Sequence, residues 1–465
     1  MKRVLALVLT ATFISASILV PAHAVVTPGA KCTTEGQIKI SKNRKYTCIK
    51  SGKKLIWNKG VVVAKPTPAS NSQPNPSPSV AAPKTKESTT PLVSDSSVYV
   101  NSSACKLPYT SEESDSYLGF PRNQRYIPST GERKSIVLFV DFDDLVADRK
   151  AVDTWKNVQI PVAKKAFYGF SYGKYQISFD VNEKIYRLPG SHKAFTRSEY
   201  VNIAGSTPAI GLEYSKFVQS AVKIADNDVD FSKYDFVNVV TPTFSPKAEG
   251  GATGGSGFNV DGKTSFLTTV GPIDEYVDDP LKNNWLLHEV GHLLGLTHIY
   301  DYSQRNIGAW DPMGNVFGLD QMHGWQRWYL DWIEDSQIAC LDESAPKETV
   351  HLISPLAAFT KGTKSVILKL SPSSALSIEV MRSSPENSFP SAYEGVLVYK
   401  IDTKLPGGKG SISIISNPNE SRPTRGGSSG LIGTLSVGEL VKYEDYTIKV
   451  LKNTTNGDYV SVSKS

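Results

Sequence analysis

The segment from His288 to His298 constrains this chain more than any other feature. It reads HEVGHLLGLTH, and at 3.6 residues per turn His288 and His292 lie one turn apart on the same face of a helix. Gly295 suits the left-handed backbone conformation that ends a helix, so the chain can turn back and bring His298 to the same point. Because three converging imidazoles bind a single zinc ion well, the spacing predicts His288, His292 and His298 as metal ligands.

Glu289 follows the first histidine and is the predicted catalytic residue. It lies too close to His288 along the helix to share the ion, but it can hold a water molecule beside the metal and take its proton. The helix is expected to begin at Asp279 and Pro280 and to bury a wide apolar surface. The alternative is that the histidines are capping and core residues that bind no metal.

The first 24 residues predict a secretory signal. Lys2 and Arg3 precede the apolar run from Val4 to Val20, and Ala22-His23-Ala24 has the small residues of a cleavage site. A membrane anchor is the alternative, but the run is shorter and more polar than a spanning helix of about 20 residues. We therefore expect a secreted protein, extracellular or associated with the cell surface, with no transmembrane anchor.

Four cysteines, Cys32, Cys48, Cys105 and Cys340, agree with export to an oxidising compartment. Three connectivities are possible. We favour a Cys32–Cys48 bond, because these two share a small basic segment, and this leaves Cys105 to pair with Cys340. No CxxC pair is present, which disfavours a zinc site built from cysteines.

Composition and patterning indicate several domains of α+β class. The chain has 465 residues, of which 40% are hydrophobic, enough for more than one core. We divide it into a signal peptide (1–24), a small basic disulfide module (25–60), a Pro/Ser/Thr-rich linker (61–98), a domain with the histidine segment (99–343) and a β-rich domain, expected to be a sandwich (344–465).

Apolar runs predict the strands of the larger domain. Ile136–Val140, Tyr175–Val181 and Phe236–Val240 are expected to be strands, and Thr154–Tyr168 a helix. The glycine-rich run at 250–257 predicts a mobile loop rather than a phosphate cradle, because no Lys-Ser or Lys-Thr pair follows. The run at 264–270 predicts a strand with an exposed edge that could pair with an extended peptide.

The net charge of the chain excludes few classes of function. The net charge is +6, or +4 without Lys2 and Arg3, which does not indicate nucleic-acid binding. Residues 31–59 are locally basic and could bind an anionic cell-wall polymer or membrane surface, or could simply be a solvated face. Asp226, Asp228 and Asp230 could bind calcium, but a solvated loop is the alternative because the Gly and distal Glu of an EF-hand are missing.

A methionine-bearing turn follows the histidines at Ala309–Gly314. The extended histidine motif with this turn resembles the metzincin metallopeptidases. It is most similar to the immune-inhibitor-A-like secreted bacterial peptidases and, more distantly, to gametolysin-type enzymes. Four further blocks carry the likeness: Ile136–Asp144, Phe167–Lys174, His323–Trp332 and Glu394–Asp402.

The resemblance implies a twisted mixed sheet with a zinc-binding helix, and a methionine, Met313, packed beneath the imidazoles. Met313 as ordinary core filler is the alternative. Many immune-inhibitor relatives have aspartate at the third ligand position, so Asp301 is left here as a candidate partner of a ligand. Several metzincins have a tyrosine where this chain has Asn315. His323 is then a candidate to stabilise the oxyanion, the alternative being a packing role.

The expected function is that of a secreted zinc-dependent endopeptidase that hydrolyses peptide bonds of extracellular proteins, with Glu289 as general base. Two alternatives stay open. One is a catalytically inactive surface-binding protein that retains the fold. The other is a zinc hydrolase of cell-wall peptides, which would share the site and differ in substrate.

Overall fold

The computed structural model describes residues 27–32, 38–41, 44–52, 54–59, 61–62, 91–109, 117–201, 209–242, 252–255, 259–263, 267–272, 285–299, 308–316, 318–319, 321–423 and 430–465. The predicted signal peptide, most of the predicted linker, Asp279, Pro280 and Asp301 lie outside these residues. The chain divides into two compact units, residues 1–87 and 88–465. The described structure is mixed α+β, with several sheets and few helices.

The first unit holds a small antiparallel sheet. Its strands are β1 (Ile38–Ser41), β2 (Arg44–Ser51), β3 (Lys54–Trp57) and β4 (Val61–Val62), and β2 pairs with each of the others. The Cys32–Cys48 disulfide is present and is buried together with Tyr46 and Trp57. One disulfide and two aromatic rings therefore form the core of this module, as expected where a sheet is too small to bury a larger hydrophobic core.

A five-stranded sheet forms the centre of the second unit. Its strands, in spatial order, are β10 (Ala252–Gly255), β11 (Leu267–Pro272), β9 (Phe236–Thr241), β5 (Gly131–Phe142) and β6 (Tyr175–Leu188). All neighbours are parallel except β10, which is antiparallel to β11. A separate antiparallel pair consists of β7 (Thr196–Val201) and β8 (Ala209–Leu212).

The helices are short. They are α1 (Arg149–Thr154), α2 (Ile160–Phe170), α3 (Tyr214–Ala225), α4 (Trp285–Leu293) and α5 (Gly324–Tyr329), with a π-helical stretch at Trp155–Gln159 between α1 and α2. Single 3-10 turns lie at Ser96–Val98, Ser102–Cys105, His192–Phe195, Phe231–Lys233, Asp335–Gln337 and Ser391–Tyr393. No helix in the described part of the chain is both long enough and apolar enough to cross a bilayer.

Side chains of β5 alternate between two cores. Val137 and Phe139 lie in the cluster that includes α2 and α4, whereas Ile136, Leu138 and Val140 pack with α3. A strand covered on both faces is apolar at every position, which is why this segment reads as a continuous hydrophobic run. The helix with the histidines and the helix α3 therefore lie against opposite faces of one sheet.

The structure corrects the prediction for the glycine-rich run. Residues 252–255 form the edge strand β10 rather than a loop, because ladder hydrogen bonds use backbone groups and need no side chain. The strand that follows, β11, was expected to have a free edge. It is instead paired on both sides, with β10 and with β9.

Residues after 337 build two further sheets. One has the order β12 (Ile338–Leu341), β14 (Ser365–Lys369), β15 (Ser374–Met381), β16 (Gly395–Asp402) and β17 (Ile412–Ile414). The other has the order β13 (Glu348–Ile353), β20 (Gly457–Lys464), β19 (Tyr446–Thr454) and β18 (Leu440–Tyr443). Strand β12 precedes residue 344 yet pairs with β14, so this sheet includes residues from both sides of the predicted domain boundary.

The five-stranded sheet of this region is a shared layer. On β16, Leu397 and Tyr399 lie in the same cluster as the side chains of α2, α4 and α5, whereas Val396 and Val398 pack against the other sheet. One face of the sheet therefore completes the core around the histidine helix. The Cys105–Cys340 disulfide, also present, joins the beginning of the second unit to β12.

The start of the second unit is fixed to its last sheets. The sequence assigned residues 61–98 to a linker, but the Ser94 N–H donates to the Val350 carbonyl (2.9 Å) and Val98 packs against the apolar cluster between the two sheets. Tyr99 OH lies 2.8 Å from Nδ1 of His351, which is buried. A hydrogen bond to β13 thus helps to fix the end of a segment whose composition alone suggests an extended linker.

We expect that a chain ending at residue 343 will not fold, because it would expose the face of the histidine core that β14, β15 and β16 cover. Thermal unfolding followed by near-ultraviolet circular dichroism should show no cooperative transition. The matched control is a chain that begins at residue 88, which should unfold cooperatively. A soluble 99–343 fragment with a sharp transition would contradict the shared layer.

We also expect His351 to make stability fall at acidic pH. Burial lowers the pKa of His351 to about 4, so between that value and the unfolded value of about 6.5 the unfolded chain binds more protons and stability decreases as pH falls. The loss approaches about 3 kcal/mol per molecule at the acidic limit. Urea midpoints from pH 7.5 to 4.5 should show a shallower decline for His351→Gln than for the native chain, and equal slopes would exclude this role.

Candidate metal centre

Helix α4 positions the first two histidines. Leu286, Leu287, Val290 and Leu293 are buried in the large core cluster, which fixes the rotation of the helix about its axis. His288 and His292 lie one turn apart on the remaining face, as their spacing predicts. The apolar residues of the motif therefore decide where its polar residues point.

The turn after α4 is a Schellman motif. The Leu296 N–H donates to the Gly291 carbonyl (3.0 Å) and the Gly295 N–H to the His292 carbonyl (2.9 Å), with Gly295 at φ +91°. A Cβ at Gly295 would lie 2.7 Å from Tyr126 Cδ2, so both the backbone angle and the crowding require glycine. This turn carries the chain back to His298.

The three histidines converge on one point. Nε2 of His292 lies 3.1 Å from Nε2 of His288 and 3.0 Å from Nε2 of His298, and the third pair is 3.1 Å apart. These residues form a group of potential metal ligands, and no other group of three appears among the described residues. The structure thus brings together all three predicted ligands.

Hydrogen bonds on the far side of two rings orient the metal-facing nitrogens. His288 Nδ1 donates to the Pro312 carbonyl (2.7 Å), and His292 Nδ1 donates to the Leu296 carbonyl (2.8 Å). Because a carbonyl oxygen can only accept, Nδ1 carries the proton and Nε2 of these neutral rings is left with a lone pair. Burial lowers the pKa of His288 to about 4, that of His298 to about 3, and that of His292 well below its usual value.

This arrangement fits a metal ion. Neutral imidazoles whose lone pairs face one another at 3.0–3.1 Å cannot all satisfy each other by hydrogen bonds. A zinc–nitrogen bond of about 2.0–2.1 Å is long enough for one ion to reach all three corners of such a triangle. Carbonyl partners on the opposite ring nitrogen are the usual support of metal-bound histidines. The donor set therefore suits a divalent cation.

The methionine turn lies against this group. Met313 is fully buried, and a Cβ on Gly291 would collide with its sulfur, so the side chain packs directly on α4. The Ile299 N–H donates to the Met313 carbonyl (3.2 Å), which ties the residue after His298 to the turn. The structure places Met313 beside the helix of the first two histidines.

The buried side chain of Asp311 binds backbone N–H groups in the methionine turn and beyond it. Its carboxylate accepts the Met313 N–H (2.9 Å) and the His323 N–H (2.8 Å), and the residue is buried. Burial raises the pKa of Asp311 to about 7, opposed by these two backbone hydrogen bonds. In the sequence, Asp311 stands out only as one residue of the turn at Ala309–Gly314.

Two distant segments make three further contacts that support the histidines, and the sequence did not predict them. The Arg122 guanidinium donates to the Leu294 carbonyl (3.2 Å), and the Ile127 N–H donates to the Leu293 carbonyl (3.1 Å), so both satisfy the end of α4. The Gly408 N–H, from the loop after β16, donates to the His298 carbonyl (3.0 Å). No local sequence pattern marks these residues, because each contact joins segments far apart in the chain.

The remaining predicted residues are placed as follows. Glu289 is buried next to His288 on α4. His323 has no exposed surface and its ring packs 4.4 Å from the ring of Tyr399, which favours the packing role over contact with an oxyanion. Asp228 pairs with Lys184, and Asp230 with Lys233, so lysines rather than a shared centre engage these carboxylates. Asp301 lies outside the described residues.

No family model matches the chain, and no curated protein matches it. Among solved structures, the chain is similar to a crystal structure of metalloproteinase-II from Bacteroides fragilis, with 14% sequence identity and a TM-score of 0.26. The match covers 49% of this chain and 57% of that one, so the chain spans little more than half of that protein.

We expect Gly295→Ala to weaken metal binding. An alanine there must adopt φ +91°, which costs about 1–2 kcal/mol for an L-residue, and its Cβ would also press on Tyr126. Gly190→Ala is the matched control, because Gly190 has φ +90° but nothing within 4 Å of an added Cβ. Competition with a chromophoric chelator should show lower metal affinity for Gly295→Ala alone. Equal affinities would mean that the turn does not set the position of His298.

Proposed function

We propose that this protein is a secreted zinc-dependent endopeptidase. The observation that carries the proposal is the convergence of three Nε2 atoms at 3.0–3.1 Å, two of them on rings whose Nδ1 atoms are bound to carbonyls. We propose zinc as the metal, because three imidazole ligands with a fourth coordination position left for water or substrate are common at catalytic zinc sites.

The number of ligands favours catalysis over a structural role. Structural zinc sites have four protein ligands, whereas catalytic sites have three and leave one position for water or substrate. Within the described residues, the group at His288, His292 and His298 has no fourth member. A bound zinc ion would lower the pKa of a water molecule and polarise the scissile carbonyl.

Glu289 is the proposed general base. It directly follows His288 and lies three residues before His292 on α4, and it is buried beside these ligands, where a carboxylate can accept a proton from the attacking water. The protonated side chain would then donate that proton to the departing amine. His288, His292 and His298 would hold the ion, each through Nε2.

We further propose a metzincin-type catalytic unit, with Met313 as its Met-turn residue and the two C-terminal sheets as a sandwich. The packing of Met313 against Gly291 and the apolar cluster shared by both sheets support this assignment. Secretion is proposed from residues 1–24 and is compatible with the Cys32–Cys48 and Cys105–Cys340 disulfides.

The N-terminal module is proposed to bind an anionic surface polymer. Arg44, Lys50 and Lys54 are exposed on its small sheet, and Lys59 is exposed just after β3. Clustered positive charge attracts polyanions in a salt-dependent manner. The proposed substrates of the enzyme itself are extracellular proteins or peptides.

We expect Glu289→Gln to lower kcat on casein or a quenched fluorescent peptide by at least about a hundred-fold, because the amide cannot accept the proton. The variant should still bind zinc, as measured by elemental analysis after gel filtration. Glu343→Gln, at an exposed position, is the matched control and should retain full activity.

Chelation provides the second arm of this experiment. Treatment of the native protein with 1,10-phenanthroline should abolish cleavage, and added zinc should restore it. Native activity in Glu289→Gln would remove the glutamate from the mechanism. A purified native protein that neither binds zinc nor cleaves any protein substrate would refute the proposed function.

A further inference from the structure

The Met-turn, the methionine turn at Ala309–Gly314, makes three contacts with the segments that carry the histidines. The Pro312 carbonyl accepts from His288 Nδ1 (2.7 Å), Met313 packs on Gly291 of α4, and the Met313 carbonyl accepts from Ile299, next to His298. A displacement of this short turn would therefore reach two of the three histidines. The residues that fix the position of the Met-turn therefore also affect the positions of these histidines.

The buried carboxylate of Asp311 is what holds it. One oxygen accepts the Met313 N–H (2.9 Å) and the other accepts the His323 N–H (2.8 Å). The backbone carbonyl of Asp311 also accepts from Gly314 (3.0 Å) and Asn315 (2.8 Å). Pro312 is thus enclosed between an anchored residue on each side, and its carbonyl has little freedom to turn away from His288.

We propose that Asp311 is a positioning residue of the metal centre, which fixes the direction and tautomer of His288 through the Pro312 carbonyl. This inference rests on the proposed function, since it assumes that His288 binds the ion. A metal-bound histidine depends on the acceptor behind its ring, because that acceptor keeps the proton on Nδ1 and the lone pair on Nε2. Asp311 would act on the backbone that carries this acceptor and would not contact the ion.

The chain provides a matched comparison in Glu379. This residue is also a fully buried carboxylate, and it accepts the Gly324 N–H (3.0 Å), one residue after His323. It also binds Ser377 Oγ (2.8 Å) and Tyr399 OH. Asp311 and Glu379 therefore both hold the start of α5, but no contact of Glu379 among the described residues reaches the Met-turn.

The experiment compares Asp311→Asn with Glu379→Gln in the full chain. In Asp311→Asn the new NH2 faces one of two backbone N–H groups, which loses its acceptor, so this variant should lose thermal stability in the metal-free form. In Glu379→Gln the side-chain oxygen can still accept from Gly324 while the NH2 faces the hydroxyls of Ser377 and Tyr399, which can accept, so its loss of stability should be smaller. Only Asp311→Asn should weaken zinc affinity, by about 10–100-fold in competition with a chromophoric chelator. It should also change the visible absorption spectrum of the cobalt-loaded protein, which depends on the geometry of the ligands, whereas Glu379→Gln should keep the native spectrum.

Three outcomes would overturn the inference. Native zinc affinity and a native cobalt spectrum in Asp311→Asn would leave Asp311 a purely structural residue. Equal weakening in both variants would mean that loosening of α5 is the cause. If Asp311→Asn does not fold, Asp311→Glu, which keeps both acceptor oxygens but displaces them by one methylene, is measured in the same way, and a native spectrum there would also refute it. Absence of zinc binding by the native protein would instead refute the proposed function.

Discussion

Three imidazole nitrogens that face one another impose the strongest physical demand in this molecule. Their Nε2 atoms lie 3.0–3.1 Å apart, and carbonyl acceptors behind His288 and His292 keep the protons of these two rings on Nδ1, so that their Nε2 lone pairs face each other. Such an arrangement repels itself unless a cation occupies the centre. The fold has to hold this group against that repulsion, and the carbonyls that do so belong to two different backbone segments. Much of the surrounding structure can be understood as support for those segments.

The sequence could predict the part of this site that is local. His288, His292, Gly295 and His298 lie within eleven residues, and helix geometry relates them directly. The support could not be predicted in the same way. The contact of Arg122 with Leu294 spans 172 residues and ends on a backbone carbonyl, so no side-chain pattern encodes it. The same applies to the Gly408 N–H on His298, which depends on the course of a loop in a distant sheet.

The predictions for the strands differ in outcome for a related reason. Ile136–Val140 was predicted correctly because burial on both faces leaves an apolar residue at every position. The edge strand at 252–255 has no apolar run of this kind, because its residues are Ala-Thr-Gly-Gly and its backbone hydrogen bonds to β11 need no particular side chain. A run of apolar residues indicates a buried strand. A strand that forms because its neighbour has free backbone N–H and C=O groups leaves no such pattern in the sequence.

The C-terminal sheets show how the two kinds of support combine. The layer formed by β12 and β14–β17 packs Leu397 and Tyr399 into the histidine core, and it also supplies Glu379, whose carboxylate holds the start of α5. Apolar contacts alone would allow this layer to slide, because they have no direction. Buried carboxylates that must accept particular N–H groups permit only one register, because any other would leave them unsatisfied in a medium of low dielectric constant. Asp311 gives the Met-turn a buried acceptor of the same kind through the Met313 N–H, and the Pro312 carbonyl of that turn accepts from His288.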